Sequence, residues 1–176
     1  MRLGYLGLGS NVGDRRANLQ AAVEELWTHG VMVLASSSVY ETEPVGEVLD
    51  QREFFNACVR IETELEPAAL LTRLQSIEDT LGRIRRGGTP EAQRFEPRTL
   101  DIDILLYDDR VISGPEHLHI PHLLMHERRF VLRPLADLAP DLEHPVLYQT
   151  IRELLDTLED EHEVLVSGLP RRWFDG

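Results

Sequence analysis

Between Arg2 and Tyr107 the apolar residues keep switching between a period of two and a period of 3.6, and the order of those switches leaves few folds open. Residues Arg2 to Gly9 form a short β-like run that ends in glycines. Asp14 suits a helix N-cap, because its carboxylate accepts from exposed N–H groups of the first turn. Leu19, Ala22, Val23, Leu26 and Trp27 then recur at helical spacing on one face, up to a stop near Gly30. Val31 to Tyr40 reads as a strand, Glu41 to Arg52 as a loop holding Pro44 and Gly46, and Phe54 to Thr63 as a second alternating strand. Pro67 fits the first position of a helix whose face is Leu70, Leu74, Ile77, Leu81 and Ile84. Thr99 to Tyr107 is a further strand. The order β-α-β-β-α-β predicts an α+β, ferredoxin-like core: an antiparallel sheet with helices on one face. Beyond it, Arg128 to Leu138 and Thr150 to Leu158 read as extra C-terminal helices, and Glu163 to Val166 as an edge strand. With 176 residues and neither repeat nor linker, a single domain over 1–176 is expected.

Charge narrows the function. The formal net charge is −13, which disfavours nucleic acid as a partner. All eighteen basic residues are arginine. The absence of lysine excludes Schiff-base chemistry, pyridoxal phosphate attachment and the phosphate-binding lysine of a P-loop. The lone Cys58 cannot close an internal disulfide, and no apolar run is long enough for a membrane span or a secretory leader. A cytoplasmic protein is expected, with no membrane and no obligate protein partner. Charge is also uneven: between Gly82 and Arg98, Arg83, Arg85, Arg86, Arg94 and Arg98 stand against only Glu91 and Glu96. A basic island in an acidic chain suits a small polyanion.

The island runs into Asp101-Ile102-Asp103. On a strand the two aspartates share a face, with Ile102, Ile104 and Leu106 on the other, and their Cα atoms stand about 6.7 Å apart. Carboxylates so spaced can converge on one or two hard cations, such as magnesium on substrate phosphates; the alternative is a solvated strand face. Arginine forks match phosphate oxygens, although Arg83, Arg85 and Arg86 could equally be cations at a helix C-terminus. Gly87, Gly88 and Pro90 break the helix, so residues 87–96 are expected to move and close over ligands while Ser76 to Arg86 stays ordered. On the second strand, Phe54 and Asn56 share a face with Cys58, a pattern able to stack and hydrogen-bond a flat heterocycle or simply to lie at the surface.

Two other clusters are weaker. His119, His122 and His126 invite a zinc reading, with His122 and His126 one helical turn apart, but the glutamate of a metalloprotease helix is missing. Gly7-Leu8-Gly9-Ser10-Asn11-Val12-Gly13 fails the dinucleotide fingerprint and reads as a turn in which Gly9 and Gly13 take unusual backbone angles.

Gly9-Ser10-Asn11, the segment Tyr40 to Gly46, Phe54 to Ala57, Gly82 to Arg85, the block Arg94 to Ile104, Pro121-His122 and Arg128 to Phe130 follow one another in an order that resembles the 6-hydroxymethyl-7,8-dihydropterin pyrophosphokinases of folate biosynthesis. The resemblance runs from about Leu3 to Leu142. It implies transfer of the β,γ-diphosphate of ATP to the pterin hydroxymethyl oxygen, with AMP released. By that likeness Asp101 and Asp103 hold two Mg2+ ions on the triphosphate. Thr42, Val45, Phe54, Asn56 and Phe130 bind the pterin, the two rings stacking on it. Gln75, Glu78, Arg85, Ile104, His122 and Arg128 match ATP-holding positions, and Arg83, Arg94 and Arg98 match catalytic arginines of mobile loops. Residues 87–93 are longer than usual for the family, Phe95 and Glu96 replace its usual residues, and Phe54 stands where tyrosine is common. The residues by themselves also allow a ligand-binding regulatory module or a metal-dependent phosphatase.

Overall fold

The computed structural model describes residues 1–43, 52–82, 99–115, 117–170 and 173–174. In chain order its elements are β1 (Arg2–Ser10), α1 (Arg15–Thr28), β2 (Val31–Ser36), β3 (Tyr40–Thr42), β4 (Phe54–Thr63), α2 (Pro67–Thr80), β5 (Asp101–Tyr107), β6 (Ile112–Ser113), β7 (His119–Ile120), α3 (Arg129–Leu138), α4 (Ile151–Asp156) and β8 (Val164–Val166). The main sheet is antiparallel, in the order β5-β1-β4-β3-β8, with β2 also on β4. This is the expected βαββαβ arrangement.

Local signals account for most boundaries. Asp14 Oδ1 accepts from the Ala17 N–H at 3.0 Å and starts α1. Pro67 opens α2, where its missing N–H costs nothing. Gly13 has φ +68°, as the turn reading requires. The strand expected over Val31 to Tyr40 stops at Ser36, and a separate strand, β3, takes in Tyr40 together with Glu41 and Thr42, both expected in the loop. Ser37 donates its N–H to Cys58 O, and its Oγ accepts from the Cys58 N–H, both at 2.8 Å. A side chain thus replaces one rung of the backbone ladder, and pairing with β4 resumes only at Tyr40.

Leu19, Ala22, Val23 and Leu26 of α1 and Leu70, Leu74 and Ile77 of α2 pack on Leu6, Leu8, Val59, Ile61, Ile102 and Ile104. Trp27, expected on the apolar face, lies at its margin and is half exposed. The opposite face of the sheet is covered too. Cys58, Leu105 and Leu106 pack there against Leu132 and Leu135 of α3 and Ile151 and Leu154 of α4. Leu106 therefore faces away from Ile102 and Ile104. Tyr5 pairs with Leu106 and Leu6 with Ile104, so Leu105 is an extra residue in β5, and the bulge reverses the alternation beyond it. Burial, reinforced by the charge of Asp137, pushes the Cys58 thiol far up, which leaves it inert. No helix among the described residues is long and apolar enough to cross a membrane.

Candidate active site

The aspartates lie at the start of β5, on the face opposite the main core. Register places Asp101 beside Gly9 and Asp103 beside Gly7 across β1, and continues from Gly9 to Asn56 and from Gly7 to Cys58 on β4. Residues paired across a ladder share a face. The two carboxylates and the Asn56 amide therefore flank a stretch of β1 that has no side chains. Gly9 is not a turn residue, contrary to the expectation. It is extended strand, and a Cβ on it would come 2.9 Å from Asn56 Oδ1 and 3.7 Å from the Phe54 ring. Its role is to allow close approach.

On the far side of that floor, Asn56 Nδ2 donates to Thr42 Oγ1 at 2.6 Å. Thr42 is buried and pairs with Phe54, which is half-buried. The amide is thus oriented by a neighbouring strand, while Phe54 and Asn56 present a ring and a polar edge from one face.

Two elements support the aspartates. Glu78 on α2 is buried, and its Oε1 accepts the Ile102 N–H at 2.8 Å. Because β5 is the outermost strand among the described residues, this carboxylate takes an N–H that none of the described strands covers. Gln75 lies one turn earlier on the same helix and is half-buried. His122 follows β7; its N–H donates to Leu105 O at 3.0 Å, and its Nδ1 accepts from the Leu124 N–H at 3.2 Å. The neutral ring therefore carries its proton on Nε2, which stands 4.0 Å from Asp103 Oδ2. His126 is not one helical turn from His122: it sits in the short 3₁₀ turn Met125–Glu127, and its ring meets His144 edge-on at 6.3 Å. Among the described residues no group of three or more His, Cys, Asp or Glu side chains could hold a metal ion.

Arg128 and Phe130 open α3, with the guanidinium 5.5 Å from the ring centre. The helix start is held from outside, because Arg129 N–H donates to Asp160 Oδ2 at 2.9 Å and its guanidinium to Leu158 O and Asp160 O. Burial alone would push the Asp160 carboxyl up; hydrogen bonds from the Arg129 and His162 N–H groups and the His162 ring outweigh it and hold it low. The Ile104 side chain is buried in the main core, on the other face from Asp101 and Asp103, so any ligand contact there falls to its backbone. Val45, Arg83, Arg85, Arg94 and Arg98, and the expected motion of 87–96, lie outside the described residues.

The fold class is shared with solved structures. A crystal structure of Plasmodium falciparum HPPK-DHPS superposes with a TM-score of 0.67 at 18% identity, covering 88% of this chain and 45% of that one. The family follows from sequence. The profile of 7,8-dihydro-6-hydroxymethylpterin-pyrophosphokinase matches residues 5–140. The 2-amino-4-hydroxy-6-hydroxymethyldihydropteridine pyrophosphokinase of Methylorubrum extorquens is 47% identical over 160 residues, 90% of this chain and 95% of the relative. That of Bacillus subtilis is 46% identical over 142 residues, 80% of each chain. The folic acid synthesis protein fol1 of Schizosaccharomyces pombe is 43% identical over 97% of this chain, which spans 22% of it. The chain belongs to the 7,8-dihydro-6-hydroxymethylpterin-pyrophosphokinase family, and it is a diphosphate-transferring enzyme.

Proposed function

We propose that this enzyme transfers the β,γ-diphosphate of ATP to the hydroxymethyl oxygen of 6-hydroxymethyl-7,8-dihydropterin at the sheet face that carries Asp101, Asp103 and Asn56. The alcohol oxygen bonds to the β-phosphorus, the bond from that phosphorus to the oxygen bridging the α-phosphate breaks, and AMP leaves as the hydroxyl proton is lost. The observation that carries the reading is the cross-strand row Asp101–Gly9–Asn56: a carboxylate able to hold a cation and an amide able to read a heterocycle share one face, with bare backbone between them. Neither a regulatory module nor a phosphatase is supported by the relatives.

Each residue has a physical part. Phe54 and Phe130 stack on the pterin; Asn56, held by Thr42, bonds its edge, and the Val45 backbone completes that side. Gln75, Arg85, the Ile104 backbone, His122 and Arg128 hold ATP. Glu78 serves ATP through β5, by fixing the strand that carries both aspartates. Arg83, Arg94 and Arg98 neutralise charge that builds on the leaving phosphate. Asp101 and Asp103 present hard oxygen donors on one face, a set that fits Mg2+ ions carried on a triphosphate. Bound there, the ions would supply charge neutralisation and lower the pKa of a coordinated hydroxyl. The reaction needs no nucleic acid, membrane or obligate protein partner, and a cytoplasmic setting, where Cys58 stays reduced, suits it.

Incubation with ATP, magnesium and the pterin is expected to yield AMP only when the pterin is present. Asp101→Asn and Asp103→Asn should each lower the rate by about 10²-fold or more, with far-UV circular dichroism unchanged. Inorganic phosphate as the product, or wild-type rates in both variants, would refute the assignment.

A further inference from the structure

Arg15 opens α1 on the side of the sheet covered by α1 and α2, across from the face just assigned to the ligands. It is nine-tenths buried, unusual for an arginine. Its Nη1 donates to Glu41 Oε1 at 3.0 Å and to the main-chain oxygen of Glu53 at 2.8 Å, and its guanidinium carbon stands 3.7 Å from the centre of the Phe55 ring. Glu41 and Phe55 are partners across the β3–β4 ladder. The pairs on either side of them are Thr42 with Phe54 and Tyr40 with Asn56. Side chains alternate along each strand, so one cation pins the rear face of the same two strand ends whose front face carries Thr42, Phe54 and Asn56. The turn before α1 adds to the grip: Asn11 Nδ2 donates to Arg52 O at 3.2 Å, and Arg52 donates to Gly13 O at 2.9 Å.

Stability alone explains this arrangement poorly. Burying a guanidinium carries a desolvation cost that ion pairing often fails to recover, and here Nε is buried with no hydrogen-bond partner among the described residues. A planar fork has something an apolar residue lacks: it reaches one acceptor on β3 and another just before β4 while stacking on a ring of β4. We infer that Arg15 is a positioning residue for the pterin side of the site, setting the spacing of Thr42, Phe54 and Asn56 from behind the sheet. This rests on the functional reading above.

The test separates pterin from nucleotide. In Arg15→Met the pterin Kd, measured by calorimetry with magnesium and an inert ATP analogue, and the pterin KM should both rise about tenfold, the loss expected from a charge-assisted hydrogen bond acting at one remove. The analogue Kd and kcat at saturating pterin should stay within about twofold of wild type. Glu41→Ala should show the same split more weakly and add little in the Arg15→Met background, because both remove one contact. If Arg15→Met does not fold, Arg15→Lys and Glu41→Ala carry the same comparison. Parallel losses of pterin and nucleotide affinity, or lower stability with unchanged pterin Kd, would overturn the inference. A wild-type enzyme that binds no pterin and forms no AMP would instead overturn the functional reading.

Discussion

At the scale of single residues, the site depends on an atom that is missing. Gly9 has no Cβ, and the space a Cβ would take is occupied by the Asn56 amide. That amide cannot simply turn aside, because its nitrogen is held at 2.6 Å by Thr42 Oγ1. Gly9→Ala is therefore expected to displace Asn56, to weaken pterin binding about tenfold, and to lower stability by about 1–3 kcal/mol through overpacking. Pterin calorimetry and urea unfolding would measure both effects; an alanine variant with wild-type pterin affinity would mean that the amide relaxes without consequence. Sequence alone offers two explanations for a strand glycine, backbone freedom and close approach. Only the register with β4 shows that the second applies at Gly9, whereas the positive φ at Gly13 shows that the first applies there.

At the scale of elements, two anchors carry testable weight. Glu78 ties α2 to β5 through the Ile102 N–H. Glu78→Ala should leave that buried N–H without its acceptor and lower stability by about 1–3 kcal/mol. Glu78→Gln keeps an oxygen in place and should lose clearly less; equal losses in the two variants would show that charge, not the strand anchor, is what matters. The second anchor is the loop between α3 and α4. There His144 is buried, and its Nδ1 accepts from the Val146 and Leu147 N–H groups, both at 3.2 Å. Nδ1 is thereby kept unprotonated. Burial, helped by the nearby His126, holds the ring below the ordinary histidine value. The folded protein thus keeps His144 neutral, while the unfolded chain takes up a proton below about pH 6.5. Its contribution to stability is complete above that pH and is lost as the pH falls toward the lower folded value. His144→Asn preserves an acceptor for both N–H groups but does not titrate, so its unfolding midpoint should fall less than that of the wild type between pH 7.5 and about 5. Parallel declines would exclude His144 as the source. The β5 bulge belongs to this scale as well. An uninterrupted period of two puts Leu106 with Ile104, and the single extra residue at Leu105 instead gives Leu106 to the second core and Tyr107 to the first.

At the scale of the whole molecule, β8 and Trp173 tie distant elements of the fold together. Val164–Val166 adds β8 beside β3, and Trp173 then returns to the main core, with Nε1 donating to Ser37 O at 3.1 Å and its own oxygen accepting from Gln20 at 2.7 Å. The tail so joins α1 to the break between β2 and β3. Trp173→Ala is expected to lower stability by about 3–5 kcal/mol, read as a shift in the urea midpoint. A loss under about 1 kcal/mol would show that the tail merely rests on the core.

What the sequence determined by itself was what periodicity and residue chemistry settle locally. Apart from β3, the strands and helices from Arg2 to Tyr107 follow from apolar spacing, Asp14 and Pro67 mark helix starts, and Asp101 and Asp103 share a face because a strand alternates. The family itself was legible from the run of motifs between Gly9 and Phe130. The tertiary structure alone decided what stands next to what. The bulge at Leu105, the side-chain rung at Ser37, the floor formed by Gly7 and Gly9, the reach of Glu78 to β5 and the clasp of Arg15 on Glu41, Glu53 and Phe55 all join residues distant in the chain. Such contacts leave no periodic trace. An arginine in the first turn of a helix has the same local spacing whether it points to water or grips two strands, and only packing distinguishes the two.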